Sequence, residues 1–188
     1  GAKKASKKES NVARWEEDQR QERIREGTNR VGSIFDSNFT PEFFTGRKQA
    51  FMDYANPQLE DQRAAAEKEL TYSLARSGTL DSSIRANKFA ELQKLYDTNK
   101  QQIADKALSY ETDARNNVES ARSNLITTLN ATGDAEGAAN SSLSRAAALS
   151  APEAFSPLSQ LFASFTGALG TQAAQERVER TQRTSVHG

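Results

Sequence analysis

The sequence predicts an all-α protein: an elongated helical hairpin with one very long helix and an Ala/Ser/Gly-rich helical C-terminal part, assembling as an oligomer. The first observation is the stretch 81–130, which contains neither Pro nor Gly. At a rise of ~1.5 Å per residue it would form a helix ~75 Å long, several times the mean for a globular domain. The second observation is a set of helix start and stop signals before this stretch, and the third is the abundance of small residues after it.

The composition indicates a soluble, electrically neutral chain with a modest apolar content. Of its 188 residues, 25 are basic, 25 are acidic and 36% are hydrophobic. A neutral total argues against a dedicated nucleic-acid coat, because such proteins carry a basic excess on one face. Leu, Ile, Val and Phe are sparse for the amount of helix to be ordered, so we expect part of the buried surface to lie between subunits.

Residue types needed for common catalytic and metal sites are scarce. The chain has no cysteine and a single histidine, His187, so a disulfide framework, a thiolate metal site, a His pair and a Ser-His-Asp set are excluded. The acidic residues alternate with basic ones, which is typical of solvated helix faces. We therefore expect no enzymatic activity, no catalytic residue, no metal and no cofactor. We also expect neither a conventional transmembrane helix nor a signal peptide, because no sufficiently long apolar run occurs.

Residues 1–9 are predicted as a flexible basic arm. They include Lys3, Lys4, Lys7 and Lys8 among small polar residues. Four positive charges on a mobile arm would suit contact with phosphate or with an acidic partner. The alternative is an unstructured terminus without a partner, which is common in proteins.

Residues 10–55 are predicted as a charged N-terminal helix followed by an aromatic turn region. Val12, Trp15 and Ile24 are the few apolar residues of the helix, and a face so thin is too small for a core. Gly27 and Gly32 are expected to end the helical pattern. Such a polar helix usually lies on a larger assembly or projects between its parts.

Five of the nine phenylalanines in the chain follow these glycines. Thr40-Pro41 is a helix start signal, since Pro is tolerated at the first helical position, and the helix is expected to end near Ala55. The aromatics either close one end of the hairpin or form an anchor for a neighbouring subunit, because clustered aromatics dominate interface energetics. This aromatic anchor comprises Phe35, Phe39, Phe43, Phe44 and Phe51.

Residues 56–132 are predicted as an antiparallel helical hairpin. Asn56-Pro57 repeats the start signal, and the helix is expected to run to Ser77, where Gly78 would close it in a left-handed conformation. Asp81 or Ser82 is the expected N-cap of the long helix. A connection this short places the two helices side by side and antiparallel.

One side of the long helix carries apolar and small residues at steps of three, four and four. The resulting eleven-residue period favours straight or slightly right-handed packing. Alanines keep the middle of this stripe thin, so that a neighbouring helix can approach closely. We refer to the stripe as the α3 seam and predict that it packs in the oligomer. Its residues are Leu92, Leu95, Tyr96, Ile103, Ala107, Tyr110, Ala114, Val118, Ala121, Leu125 and Leu129.

Residues 133–188 are predicted as a helical segment rich in small residues, with a charged, fraying C-terminus. Asp134 is the expected N-cap of a short helix that includes Leu143 and Leu149. The stretch 154–175, here called the uncharged segment, lacks any charged residue. Ser156-Pro157 is expected to start a helix within it.

The predicted helix of the uncharged segment is apolar on one side and hydroxylic on the other. A neutral helix of this kind can pack against other helices in a ring or lie at a lipid interface. It lacks the basic residues of a typical membrane-surface helix. The residues predicted to contact membrane or a subunit are Leu158, Leu161, Phe162, Phe165 and Leu169.

The order of these elements resembles the smallest internal core protein of short-tailed bacteriophages, an ejection protein. The resemblance covers roughly residues 53–137. It lies in a charged first helix, the turn Ser77-Gly78-Thr79-Leu80-Asp81-Ser82-Ser83-Ile84-Arg85, a long polar helix and an Ala/Ser/Gly-rich tail. The turn is a short signal that also suits other helical hairpins.

The resemblance implies a structural virion protein of the internal core that is released with the genome. Many copies would lie inside the capsid around the portal, together with other core proteins, and would form a channel at the host outer membrane. The protein would thus be located in the virion, in the capsid interior or tail, and then in the host cell envelope. No catalytic residue is implied, because wall-degrading activity in that family belongs to a different protein.

Two other classes of function compete with this expectation. The first is a helical adaptor or interaction module of a phage portal or tail that does not contact membrane. The second is an enzyme with paired carboxylates, which is disfavoured because no acidic pair falls in apolar surroundings that would raise a pKa.

Overall fold

A computed structural model of the protein describes residues 2–79 and 81–170, with side chains from residue 6 onward. Its helices are α1 (Ala2–Asn38), α2 (Pro41–Ser77), α3 (Ser82–Thr132) and α4 (Ala135–Ser150). A fifth helix, α5, has 163–170 as its described part. No strand occurs in the two described ranges, so the predicted all-α class is confirmed. The predicted charged and fraying end of the chain lies outside the described residues.

The chain divides into two compact units, and each is described by itself. Unit 1 consists of the residues up to Lys48 together with Ser109–Ala154. Unit 2 consists of Gln49–Leu108 and the residues from Phe155 onward. The boundaries between the units fall within α2 and within α3.

The predicted boundaries of α2 are confirmed at both ends. The helix begins at Pro41, and the hydroxyl oxygen of Thr40 accepts the backbone N–H of Phe43 at 3.3 Å. It ends at Ser77, and Gly78 follows with a φ of 65°. Only glycine adopts this left-handed conformation without strain from a Cβ, which explains the stop.

The very long helix is also confirmed, with 51 residues in α3. Its N-cap is Asp81, whose Oδ1 accepts the backbone N–H of Ser83 at 2.8 Å. After α3 ends, Gly133 has a φ of 66°, and Asp134 caps α4 by accepting the N–H of Gly137 at 2.9 Å. Local capping chemistry therefore sets three of these helix boundaries.

Helix α1 differs from the prediction in two places. Residues 2–9, predicted as a separate flexible arm, belong to the helix, and their Ala, Lys and Glu content favours this conformation. The expected break at Gly27 and Gly32 is wrong, because α1 continues to Asn38. Packing explains the first glycine: a Cβ at position 27 would lie 2.8 Å from Leu129 Cδ2 and 3.1 Å from Ala135 Cα.

Helix α2 does not restart at Pro57, where a new helix was predicted. It is continuous from Pro41 to Ser77 with Pro57 inside. The ring removes one backbone donor and crowds the preceding turn, which costs ~3 kcal/mol in an exposed helix. Ala55 and Leu59 on either side are buried, so tertiary packing holds the helix through this position.

The helix predicted to start at Ser156-Pro157 is wrong as well. Residues 152–160 have no regular secondary structure, and α5 begins at Ala163. Side chains of α2 bind the backbone here instead: Gln58 accepts the N–H of Leu158 at 2.9 Å, and Gln62 accepts that of Leu161 at 2.7 Å. The two glutamines thus supply acceptors for the backbone N–H groups of Leu158 and Leu161, which precede α5.

Candidate functional site

The part of the α3 seam in unit 2 packs against α2. Leu92, Ile103 and Ala107 are buried, as is Tyr96, and Leu95 is half-buried. The Tyr96 hydroxyl donates a hydrogen bond to the Glu60 carboxylate.

Arg63 of α2 covers the same tyrosine from another direction. Its guanidinium lies 4.2 Å from the centre of the Tyr96 ring, and it donates a hydrogen bond to Gln93 Oε1 at 2.8 Å. A guanidinium stacked on an aromatic face adds a cation–π attraction to the contact. In this unit α2 and α3 therefore run in opposite directions, because Glu60 lies beside Tyr96 and Arg63 lies beside Gln93.

The part of the seam in unit 1 belongs to a core that also contains residues of α1 and α4. Ala114, Val118, Ala121 and Leu129 are buried in this core, and Tyr110 and Leu125 are half-buried. The other buried residues of this core are Val31, Phe35, Phe39, Phe44, Ala138 and Ala146.

Arg122 fixes α3 against α1 at the rim of that core. It donates hydrogen bonds to the backbone oxygen of Gly32 at 3.3 Å and to the carboxylate of Asp36. All eleven residues of the seam are thus buried or half-buried within the single chain. Their predicted contact with another copy remains a prediction, and it would require the elements that cover them to move away.

The structure divides the predicted aromatic anchor between the two units. Phe35, Phe39, Phe43 and Phe44 form a cluster in unit 1, with successive ring centroids 5.4 Å, 5.0 Å and 5.3 Å apart. Phe51 lies in unit 2, where its ring centroid is 5.4 Å from that of Phe155. Four of the five are buried and Phe43 is half-buried, so these rings serve as core within their units.

Arginines at the edge of the aromatic cluster were not identified from the sequence. Arg115 lies 4.5 Å above the Phe44 ring, and Arg47 lies 4.8 Å above the Phe43 ring. Arg47 also donates to the backbone oxygens of Leu149 and Ala151, each at 2.8 Å. It therefore binds the C-terminal end of α4, where a cation is favoured by the helix dipole.

Arg20 performs the same role at the end of α3. It donates to the backbone oxygen of Asn130 at 2.6 Å and to that of Ala131 at 3.4 Å. The arginine and the helix end that it binds are more than a hundred residues apart in the sequence. No local pattern of residue types could have identified such a pair.

Residues 155–170 of the uncharged segment lie on α2 in unit 2. Phe155 sits between Phe51 and Tyr54, 5.4 Å from each ring centroid. Gln62 binds the segment twice, because it accepts the N–H of Leu161 and donates to the backbone oxygen of Ser159 at 3.1 Å. The contacts that hold this part of the chain are aromatic packing and neutral hydrogen bonds.

The apolar residues predicted to contact membrane or a subunit pack within unit 2. Phe162 and Leu169 are buried, and Leu158, Leu161 and Phe165 are half-buried. The hydroxylic side predicted opposite them comprises Ser159, Ser164, Thr166 and Gly167, of which Thr166 is half-buried and the others are exposed. The sequence thus identified the two-sided character of the segment but assigned it a helix that begins too early.

The predicted arm contributes its described lysines to the surface. Lys7 and Lys8 are exposed on α1, while the side chains of Lys3 and Lys4 lie outside the description. Across the described ranges, no group of three or more His, Cys, Asp or Glu side chains is placed to hold a metal ion. Within the same ranges, no helix has the length and hydropathy needed to span a membrane.

Comparisons of the chain with protein-family models, with curated proteins and with solved structures found no match. The uncharged segment, the α3 seam and the order of elements along the chain are the features that bear on function.

Proposed function

We propose that this chain is a structural virion protein of the internal core or ejection apparatus of a short-tailed bacteriophage. In this proposal it is released with the genome and oligomerises into a channel at the host outer membrane through which DNA is translocated. Its partners are other copies of itself, other core proteins and the portal, and its N-terminal lysines contact phage DNA in copies whose α1 is not paired with another copy. The elongated hairpin and the oligomer belong to the same proposal.

The observation that carries the proposal is how the uncharged segment is held in unit 2. Gln58 and Gln62 supply three neutral hydrogen bonds to its backbone, and each such bond contributes only about 1 kcal/mol net. Burial of Phe162 and Leu169 contributes about 2 kcal/mol for each side chain. Contacts of this size are strong enough to keep the segment docked and weak enough to be exchanged for a new apolar environment.

Exchange of this docked state for a lipid or subunit contact is the proposed mechanism. On release, the apolar residues of 155–170 leave α2 and uncover the matching surface around Phe51 and Tyr54. Neighbouring copies or a membrane interface then cover the exposed apolar area, because leaving it in water costs about 25 cal/mol per Å². No covalent bond is made or broken in this mechanism.

Dye release from lipid vesicles tests the proposal. We expect the full chain to release a trapped dye from vesicles whose composition resembles a bacterial outer membrane. Leu161→Asp should abolish release, since a charge on the apolar side opposes lipid contact. The matched control is Ser164→Asp, which places the same charge on an exposed position and should retain most of the activity. Absence of release by the unmodified chain would refute the channel.

A portal or tail adaptor without membrane contact is the second candidate function. It is favoured by one observation, namely that the chain buries the apolar residues of the uncharged segment against its own α2. An adaptor would keep the segment docked, bind a virion partner and leave vesicles intact. The dye experiment with the unmodified chain therefore separates the two candidates.

A further inference from the structure

The first half of α1 is a helix that no other described element covers. Every residue from Ser6 to Gln19 is exposed. Val12 is 53% exposed and Trp15 is 63% exposed, although both are large apolar side chains. At a rise of ~1.5 Å per residue this bare part of the helix is ~20 Å long.

An uncovered helix of this length is marginally stable in water. The packed remainder of α1 nucleates this stretch, but without tertiary contacts its stability depends on helix propensity alone. A polar surface helix usually gains its stability from packing an apolar face on a partner. Val12 and Trp15 supply the beginning of such a face, and tryptophan is enriched at the energetic centre of interfaces.

The residues around Val12 and Trp15 follow the spacing of two packed helices. Steps of four, three, four, three and four residues place one face of α1 in register with a heptad pattern. From one end of this face to the other, the side chains change from basic through apolar and amide to acidic. The residues are Lys8, Val12, Trp15, Gln19, Glu22 and Glu26.

The same gradient of charge extends over the whole first part of α1. Residues 2–14 contain five basic side chains and one acidic side chain, and residues 15–26 contain five acidic and three basic ones. A second α1 lying antiparallel would place its basic half against the acidic half of the first. A parallel partner would instead oppose like charges, which is unfavourable.

We propose that the exposed part of α1 packs antiparallel against α1 of a second copy of this chain. The two-fold axis lies between Val12 and Trp15, so that Val12 of each copy faces Trp15 of the other. The interface is therefore self-complementary. Glu22, which also accepts from Arg25 on its own helix at 2.7 Å, faces the lysine-bearing end of the partner. The pairing uses a surface separate from the α3 seam and applies to the ejection protein and the adaptor alike.

A duplex nucleic acid fits this surface less well than a second copy. The lysine-rich end offers a phosphate contact, but Glu16, Glu17 and Asp18 follow within three turns of helix. Acidic side chains so close to a phosphate backbone are repelled, and a nucleic-acid site normally presents a continuous basic stripe. The apolar residues at the centre of the face also gain nothing from phosphate.

Fluorescence of Trp15 reports the proposed pairing directly, because it is the only tryptophan in the chain. As the concentration of the full chain rises, we expect its emission to shift to shorter wavelength while sedimentation equilibrium reports a dimer over the same concentration range. A chain that stays monomeric, with Trp15 emission unshifted at all concentrations, would overturn the proposal. So would a shift that occurs only when a DNA duplex is added.

Charge reversal tests the antiparallel orientation. The pair Lys4→Glu and Lys8→Glu should weaken self-association at least about tenfold, since several weak ion pairs become repulsive together. Glu22→Lys with Glu26→Lys should do the same, and an equimolar mixture of the two variants should restore dimers. The matched control is Lys7→Glu with Arg14→Glu, which makes the same change in net charge on the other side of α1.

The control variant and the mixture distinguish an effect of net charge from an effect of antiparallel orientation. Unchanged association of the control variant and recovery in the mixture are the expected results. Equal weakening by the control, or no recovery on mixing, would show that net charge and not an antiparallel face governs association. Far-UV circular dichroism of each variant verifies that α1 and the other helices remain formed.

Discussion

The two units secure their structures with different chemistry. Unit 1 closes a core of phenylalanine and alanine with arginines, and Arg47 and Arg20 donate charge-assisted hydrogen bonds to the ends of α4 and α3. Unit 2 holds an irregular, uncharged stretch of chain with the neutral amides of Gln58 and Gln62. Charge-assisted bonds are roughly twice as strong as neutral ones, so we expect the docked stretch of unit 2 to open more readily than the helix ends that Arg47 and Arg20 bind.

The largest expected effect on the fold comes from the centre of unit 1. Phe35 is 1% exposed and packs on Phe39, so Phe35→Ala should lower the free energy of unfolding by about 3–5 kcal/mol through loss of burial and a cavity. Chemical denaturation measures this change. Leu143→Ala, at a position that is 56% exposed, is the control and should change stability by less than about 0.5 kcal/mol.

Two glycines of α1 should respond with opposite signs to the same substitution. Gly27→Ala would place a Cβ against Leu129 and the backbone of Ala135 and should destabilise unit 1 by about 1–3 kcal/mol. Gly32→Ala meets nothing within 4 Å and should stabilise it by about 0.5–1 kcal/mol, because alanine is the better helix former. Thermal unfolding of both variants provides the test, and a stabilised Gly27→Ala would contradict the close packing of α1 against α3 and α4.

The difference between arginine and glutamine contacts can be measured with one substitution at each position. Arg47→Met should cost about 2–3 kcal/mol, since two carbonyl oxygens lose a charged donor. Gln62→Met should cost about 1–2 kcal/mol and should act mainly on local opening of the uncharged segment. Hydrogen exchange of the Leu161 amide distinguishes these outcomes. If Gln62→Met left the Leu161 amide as protected as before, Gln62 would not be the residue that holds the uncharged segment on α2.

Salt should have the smallest effect on stability. The ion pairs Arg25–Glu22, Lys88–Glu91 and Arg115–Glu111 join residues three or four apart on single helices, where each contributes about 0.3–0.5 kcal/mol. Raising the ionic strength to about 1 M shortens the screening length to about 3 Å. We therefore expect the denaturation midpoint to fall only slightly. A loss of several kcal/mol would mean that exposed charges matter more than packing does.

The boundaries that the sequence predicted correctly are those set by local chemistry. Thr40-Pro41, Ser77-Gly78, Asp81 and Asp134 each act on backbone groups within four residues. Capping groups of this kind can be recognised in a sequence because donor and acceptor are neighbours along the chain.

The boundaries that were predicted wrongly depend on contacts between distant residues. Gly27 stays helical because Leu129 and Ala135 lie against it, and Pro57 stays helical between the buried Ala55 and Leu59. The start of α5 is displaced because Gln58 and Gln62 bind the backbone before it. None of these partners is adjacent in the sequence, so propensity favoured the wrong conformation at each position.

The candidate sites show the same division. The stripe defined by the periodicity of α3 is buried or half-buried within the chain, because a helical repeat shows which side of a helix is apolar. Its packing in an oligomer stays a prediction. The periodicity could not show that the chain's own α1, α2 and α4 supply the covering residues. The arginines that bind distant helix ends lie outside any periodic pattern.

Hydrogen exchange of the uncharged segment, with and without vesicles, is the most direct test of the proposed release. In solution, the amides of Leu158 and Leu161 should be protected by Gln58 and Gln62. With vesicles of outer-membrane composition, we expect these two amides to lose their glutamine partners and exchange at a different rate, while amides in the middle of α3 stay unchanged. Identical exchange of the segment in both conditions would contradict release at a membrane.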